Sequence, residues 1–139
     1  MTAARGMRNQ NPGNIRRTAE VWKGMSTIQG DPDFVQFSAM KWGCRALVKT
    51  LRTYVEKRGL QTIRQIIGRW APANENDTMS YIRSVSSAMR RDPDEVLHFS
   101  DDPLLYLDLA KAIARHECGP EAESISSDGW EFALQEAGV

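Results

Sequence analysis

An acidic side chain on the apolar face of a helix can do chemistry, and this chain carries one at Glu117, at the end of the run PLLYLDLAKAIARHECG. Counting back in steps of three and four reaches Ile113, Ala110 and Tyr106, while Asp108, Lys111 and Arg115 fall on the opposite, wet face. A carboxyl group set against apolar neighbours has its charged form disfavoured, so it can hold a proton near neutral pH, as a general acid must. The structural alternative is a half-buried glutamate that pairs with an arginine or caps a neighbouring helix.

Glu75, in the loop APANENDT, is the rival acid. Loops carry chemistry beyond their share of residues, and this one follows Trp70. Glu75 also sits just ahead of the capping residues Asn76, Asp77 and Thr78, where its charge would complement a helix N-terminus. Asp31 and Asp33 flank Pro32 and read first as turn formers.

The softer ligands do not form a metal motif. Cys44, His98, His116 and Cys118 are scattered without the spacing of a zinc site, and two distant cysteines make no disulfide framework, so free thiols are expected. Cys44 fits a helical core line with Val48, Leu51 and Val55. His116 falls near a line through Ala112, Leu109 and Leu105 and reads as a core histidine. Nothing points to a nucleotide, flavin or metal, so no cofactor is expected.

Composition narrows the partners. Eighteen basic residues balance eighteen acidic ones, which removes the long-range attraction to phosphate that nucleic-acid binding exploits. The apolar stretches are short and broken by charge, and MTAARGMRNQNPG lacks the apolar core of a secretory signal. The expectation is a product made in the cytoplasm, bound to neither nucleic acid nor membrane, and monomeric. With 139 residues, 41% of them apolar, residues 1–139 form one domain.

Positioning the acids requires mostly helices. The first forty residues hold Gly6, Pro12, Gly13, Gly24, Gly30 and Pro32 together with β-prone pieces at Trp22 and residues 34–37, which predicts an irregular arm and a small β-hairpin. A central helix starts at Ser38 as N-cap and runs to Gly59. Thr62 caps a short helix ending before Pro72, and the Asn76-Asp77-Thr78 cluster starts another through Tyr81, Ile82, Val85 and Met89. The segment Ser100-Asp101-Asp102-Pro103, with cap, acids and proline, predicts the start of the Glu117 helix, which Gly119-Pro120 closes. A last helix begins at Ser127 or Asp128 and packs through Trp130, Phe132, Leu134 and Ala137.

The succession RGMRNQNPGNIRR, WKG, DPDFVQF, GCRAL, TIRQIIGRWAPANENDTMSYIRSV and AIARHECG resembles a family of phage virion structural and muralytic proteins, lysozyme-like cell-wall lysins among them. The likeness runs roughly from Arg5 to Gly119, and its most specific blocks are NPGNI and WAPANENDT. It implies a mainly α, lysozyme-like domain with the small N-terminal hairpin, and bacterial peptidoglycan as the substrate. In the glucosaminidase and lytic transglycosylase branches of that superfamily, the catalytic acid ends a helix and an asparagine-containing segment with a hairpin follows. Here AIARHECG is similar to that helix and NPGNI to that segment, in reversed order. The likeness therefore implies a circular permutation, which nearby termini make physically cheap. Cys118 departs from the small or amide residue usual after the glutamate.

The resemblance implies that Glu117 protonates the glycosidic oxygen between N-acetylmuramic acid and N-acetylglucosamine. It casts Asn14 and Tyr81 as groups that position the sugar or stabilise developing positive charge. Trp22 and Trp70 offer flat faces to sugar rings, though tryptophan in a small domain is often core. Glu75, Asp31 or Asp33 would serve as a second carboxylate, about 5–5.5 Å away for retention and about 6.5–9.5 Å for inversion; with none, a lyase is expected. The enzyme would act at the host wall during genome entry or lysis, carried in the virion beside other virion proteins or released by a holin. The competing expectations are a non-catalytic virion or wall-binding module and a peptidoglycan endopeptidase.

Overall fold

The structure, a computed structural model, describes residues 3–74 and 76–138. It is mainly helical: α1 (Arg5–Arg8), α2 (Met40–Glu56), α3 (Ile63–Trp70), α4 (Thr78–Met89), α5 (Leu105–Cys118), a 3-10 turn (Gly119–Ser124) and α6 (Ser127–Glu136). The helices gather around α2 and α5, whose apolar stripes supply Leu47, Leu51, Leu109 and Ile113 to a fully buried core shared with Ile63, Ile66 and Ile67 of α3. Burying one such aliphatic side chain contributes about 1.5–3 kcal/mol. Among the described residues no helix is long and apolar enough to cross a membrane.

Local chemistry sets several boundaries. Thr62 Oγ1 accepts from the Gln65 backbone N–H at 3.1 Å, Asp77 Oδ1 from Ser80 at 3.1 Å and Ser126 Oγ from Gly129 at 3.1 Å, each capping the helix that follows. At the other end of α5, Gly119 takes φ +71°, a left-handed value that glycine adopts without strain, and turns the chain away directly after the Glu117 turn.

Two expected helix starts move. α2 is preceded by Ala39 in extended conformation without a side-chain cap, not by Ser38. α5 begins at Leu105, because Asp101 and Asp102 give their backbone N–H groups to His98 O and complete a separate turn. The last helix matches its expected start, with Trp130, Ala133 and Ala137 buried and Phe132 meeting Trp42 edge-on at 5.1 Å.

The N-terminal hairpin is reduced to isolated antiparallel bridges at Arg16–Phe34 and Met25–Phe37, with no extended strand among the described residues. Side chains replace the missing ladder. Asn11 donates to Ile15 O at 3.0 Å and Val35 O at 2.9 Å and accepts from Ile15 N at 2.9 Å, while the Gln29 side chain donates to Gln36 O at 2.7 Å and accepts from Gln36 N at 2.9 Å. A small apolar cluster seats this arm on α2: Ile15, Trp22, Met25, Val35 and Phe37 from the arm meet Trp42 and Ala46 of the helix.

The seat is tight at Gly43, where a Cβ would lie 2.0 Å from Gln10 O. Gly43→Ala is expected to push the arm off α2 and lower stability by about 1–3 kcal/mol. Gly68→Ala, on α3 where a Cβ meets nothing within 4 Å, should raise it by about 0.5–1 kcal/mol. Urea unfolding of the two variants checks both signs.

Candidate active site

Three separate pieces of chain converge on Glu117. It lies in the last turn of α5, half-buried. Asn14, from the arm, donates its Nδ2 to Glu117 Oε1 at 2.9 Å; Tyr81, from α4, donates its hydroxyl to Oε2 at 2.6 Å. Behind them Trp70, at the end of α3, gives its indole N–H to the Tyr81 oxygen at 3.1 Å. The Tyr81 ring is 2% exposed. Burial, reinforced by the Glu117 charge and hydrogen bond, raises the phenol pKa well above its ordinary value, so Tyr81 keeps its proton and remains a donor.

Asn14 reaches the carboxylate from a left-handed backbone, φ +49°, which asparagine tolerates better than most residues. Its Nδ2 is turned to Glu117 and its Oδ1 is buried without a hydrogen-bond partner. The opposite amide orientation would set oxygen against carboxylate oxygen, a repulsion that outweighs one unsatisfied carbonyl. Gly6 makes room for this arrangement, since a Cβ there would stand 2.9 Å from Asn14 Oδ1 and 2.7 Å from Cys118 Sγ.

The cluster opens into a cleft of about 460 Å³. Asn14, Trp22, Trp70 and Glu117 line it, so these site residues expected from the sequence share one space with Tyr81 directly behind. Glu75 lies outside the described residues; its neighbour Asn76 is on the cleft wall. One wall comes from the polar side of α2, Lys49, Thr50, Thr53 and Tyr54, and Arg16 and Glu20 also line the cleft. Sequence reasoning passed over Lys49, Thr50, Thr53 and Glu20, although Lys49 and Thr53 share a helix face four residues apart. Glu20 is exposed and is the other acid among the described lining residues.

Asp31 and Asp33 do not line the cleft. Asp31 is buried and saturated: Arg5 donates to both its oxygens at 2.6 and 2.7 Å, Asn9 Nδ2 donates at 2.9 Å, and the backbone N–H groups of Asp33 and Phe34 donate at 2.8 and 2.9 Å. The Arg5 guanidinium, with those further donors, holds the Asp31 carboxyl far below its usual range. It is a clamp for the arm. His116 is corrected from core to surface: it is exposed and stacks on Tyr81 at 3.8 Å between ring centres. It continues the buried line of Leu105, Leu109 and Ala112, but in the last turn of α5 that line reaches the surface. Burial pushes the thiols of Cys44 and Cys118 up to about 12 and about 11, which keeps both protonated and unreactive. Among the described residues no group of three or more His, Cys, Asp or Glu side chains is placed to hold a metal ion.

The chain is similar to a bacteriophage protein. Protein P5 of Pseudoalteromonas phage PM2 is 46% identical over 88 residues, which cover 61% of this chain and 55% of that protein. The chain thus spans about half the length of the curated relative it matches. No family model matches it. The name Protein P5 states no chemistry, and the chemistry has to be read from the cleft.

The clamp makes the arm acid-sensitive. A carboxylate whose folded pKa is depressed contributes stability that is fully present above its unfolded value, about 3.9, and is lost as pH falls toward the folded one. The difference in urea midpoint between wild type and Asp31→Asn should therefore be constant above about pH 4 and shrink below it. A difference that stayed the same at pH 3 would mean that the Asp31 charge is not what secures the arm.

Proposed function

We propose that this is a phage peptidoglycan-cleaving domain that cuts the glycan strand between N-acetylmuramic acid and N-acetylglucosamine, with Glu117 as its general acid. The observation that carries this reading is the Asn14–Glu117–Tyr81 arrangement at the edge of a cleft of about 460 Å³. Glycoside cleavage needs a carboxyl group held in one orientation beside an open groove, and fixed donors on both oxygens provide that orientation. The position of the acid at a helix end, with an asparagine-bearing segment against it, is consistent with a lysozyme-like, circularly permuted arrangement. The similarity to a phage protein supports an origin in which the wall must be opened from inside or outside the host. The protein would act on the wall from the virion or after release at lysis.

In this mechanism Glu117 gives its proton to the glycosidic oxygen as the bond to the muramic acid carbon breaks. Asn14 and Tyr81 then stabilise the carboxylate that remains. Trp22 contributes an apolar face, and Lys49 and Arg16 supply positive charge for the carboxylates of the stem peptides. If water completes the reaction, a second carboxylate must activate it, and Glu20 or Glu75 is the group to do so. If the sugar's own hydroxyl attacks instead, Glu117 takes that proton back and an anhydro end results.

Digestion of purified peptidoglycan, read by mass spectrometry, tests the reading. Wild type should release soluble glycan fragments, and Glu117→Gln should be at least about a hundredfold slower. Glu20→Gln and Glu75→Gln should leave an anhydro-forming enzyme active and cripple a hydrolase. Equal activity in wild type and Glu117→Gln would remove Glu117 from the chemistry. No products from either would leave a wall-binding or structural module, and new amine ends would indicate an endopeptidase.

A further inference from the structure

The Trp70 side chain lines the cleft, yet its polar atom is turned into the protein. We infer that Trp70 is a positioning residue: its indole N–H fixes the direction of the Tyr81 proton, so that an acidic proton on Glu117 can face only the cleft. This inference rests on the proposed role of Glu117.

The argument is one of hydrogen-bond inventory. An indole nitrogen can only donate, an amide nitrogen can only donate, and a phenol has one proton and two acceptor lone pairs. An ionised Glu117 can only accept, so the bond of 2.6 Å between Tyr81 and Glu117 Oε2 has the phenol as donor, while Trp70 Nε1, donating at 3.1 Å, occupies one of the lone pairs on the Tyr81 oxygen. Asn14 Nδ2 occupies the other carboxyl oxygen at 2.9 Å. Each oxygen thus already receives one proton from the protein. A further proton must take one of the remaining lone pairs of a carboxyl group that borders the cleft. Without the indole N–H, the Tyr81 hydroxyl is free to swing and accept the Glu117 proton. The acid form would then point it at Tyr81, away from a glycosidic oxygen.

The surroundings of Trp70 fit a fixed donor better than a stacking platform. A Cβ on Gly13 would lie 3.1 Å from Trp70 Cζ2 and 3.3 Å from Cη2, so the arm backbone presses on the ring. Tyr54 meets it at 6.4 Å and a steep angle of 67°. The ring is wedged, and its N–H is committed to a buried phenol.

Trp70→Phe keeps an aromatic ring at this position and deletes the donor together with the five-membered ring that carries it. It should lower kcat on peptidoglycan about tenfold, the effect of a single hydrogen bond, with KM unchanged. The same substitution in a Tyr81→Phe background should have no further effect, because Trp70 acts only through the hydroxyl. A rise in KM alone, or an equal loss in both backgrounds, overturns the inference in favour of a sugar platform or a packing role. A second measurement does not depend on activity. In a spectrum of the indole N–H groups of the four tryptophans, Trp70→Phe identifies the Trp70 signal, and Glu117→Gln should shift it when Tyr81 is present and not in Tyr81→Phe. If the wild type cleaves nothing but this coupling is found, the reaction is wrong and the relay stands. If Glu117 is essential and the coupling is absent, the relay is wrong and the reaction stands.

Discussion

Glu117 accepts hydrogen bonds from residues 103 and 36 positions away in the chain, and a contact of that range exists only if the intervening pieces are held rigidly. Losing backbone freedom costs about 1–2 kcal/mol per residue, so an irregular arm does not stay in place by default. The arm is fixed by close approach to α2, where Gly43 admits the Gln10 carbonyl, and by close approach to α5, where Gly6 admits Asn14 and Cys118. Two missing side chains thus set the height at which Asn14 arrives over the acid. The helices provide the floor, and the arm determines whether the carboxylate is held.

That arm solves an unusual problem, since it runs across the protein with only isolated bridges in place of strands. Buried backbone groups still need partners, and an unsatisfied one costs about 1–3 kcal/mol. Asn11, entirely buried, serves three backbone groups with one amide, and Asp31 gathers five donors with one carboxylate. These side chains act as short, fixed rungs. A polar network of this kind is stable only when nearly every member is satisfied, which ties the conformation of residues 9–14 to the pairing of residues 31–36. The ion pair of Arg5 and Asp31 is consequently connected to the position of Asn14 through the backbone it organises, without lining the cleft itself.

Much of this was legible from the residues alone. The apolar periodicity of α2 through α6 and the caps at Thr62 and Asp77 are local signals, and local signals set those helices. Ser38 and the Ser100–Pro103 segment carry equally good cap chemistry, yet in one case the arm and in the other a turn on His98 O decides where the helix begins. The inward direction of Glu117 follows from helical spacing, whereas Asn14, Tyr81, Trp22 and Trp70 enter only through the family resemblance. Periodicity could not reveal that Trp70 bonds Tyr81, because the partners lie on different helices. Lys49 and Thr53 escaped notice for a related reason: a polar face that borders a cleft reads the same as one that borders water. The alternating apolar residues at 34–37 read as a hairpin strand, yet they pack on α2 and form only isolated bridges.

On the proposed reading, the same arrangement explains how one carboxyl group can both give and recover a proton. A general acid must release its proton toward the leaving oxygen and afterwards accept one from the attacking group, and both transfers are most efficient when they use the same lone pair. A freely turning carboxyl would spread its proton over several directions, most of them unproductive. Donors fixed on both oxygens leave the carboxylate stabilised after the first transfer and aimed for the second. They do so without contributing a proton themselves, since burial keeps the Tyr81 phenol protonated and an amide does not titrate. The chemistry assigned to Glu117 therefore depends on the glutamate for its proton and on two neutral neighbours, which cannot exchange roles with it, for its direction.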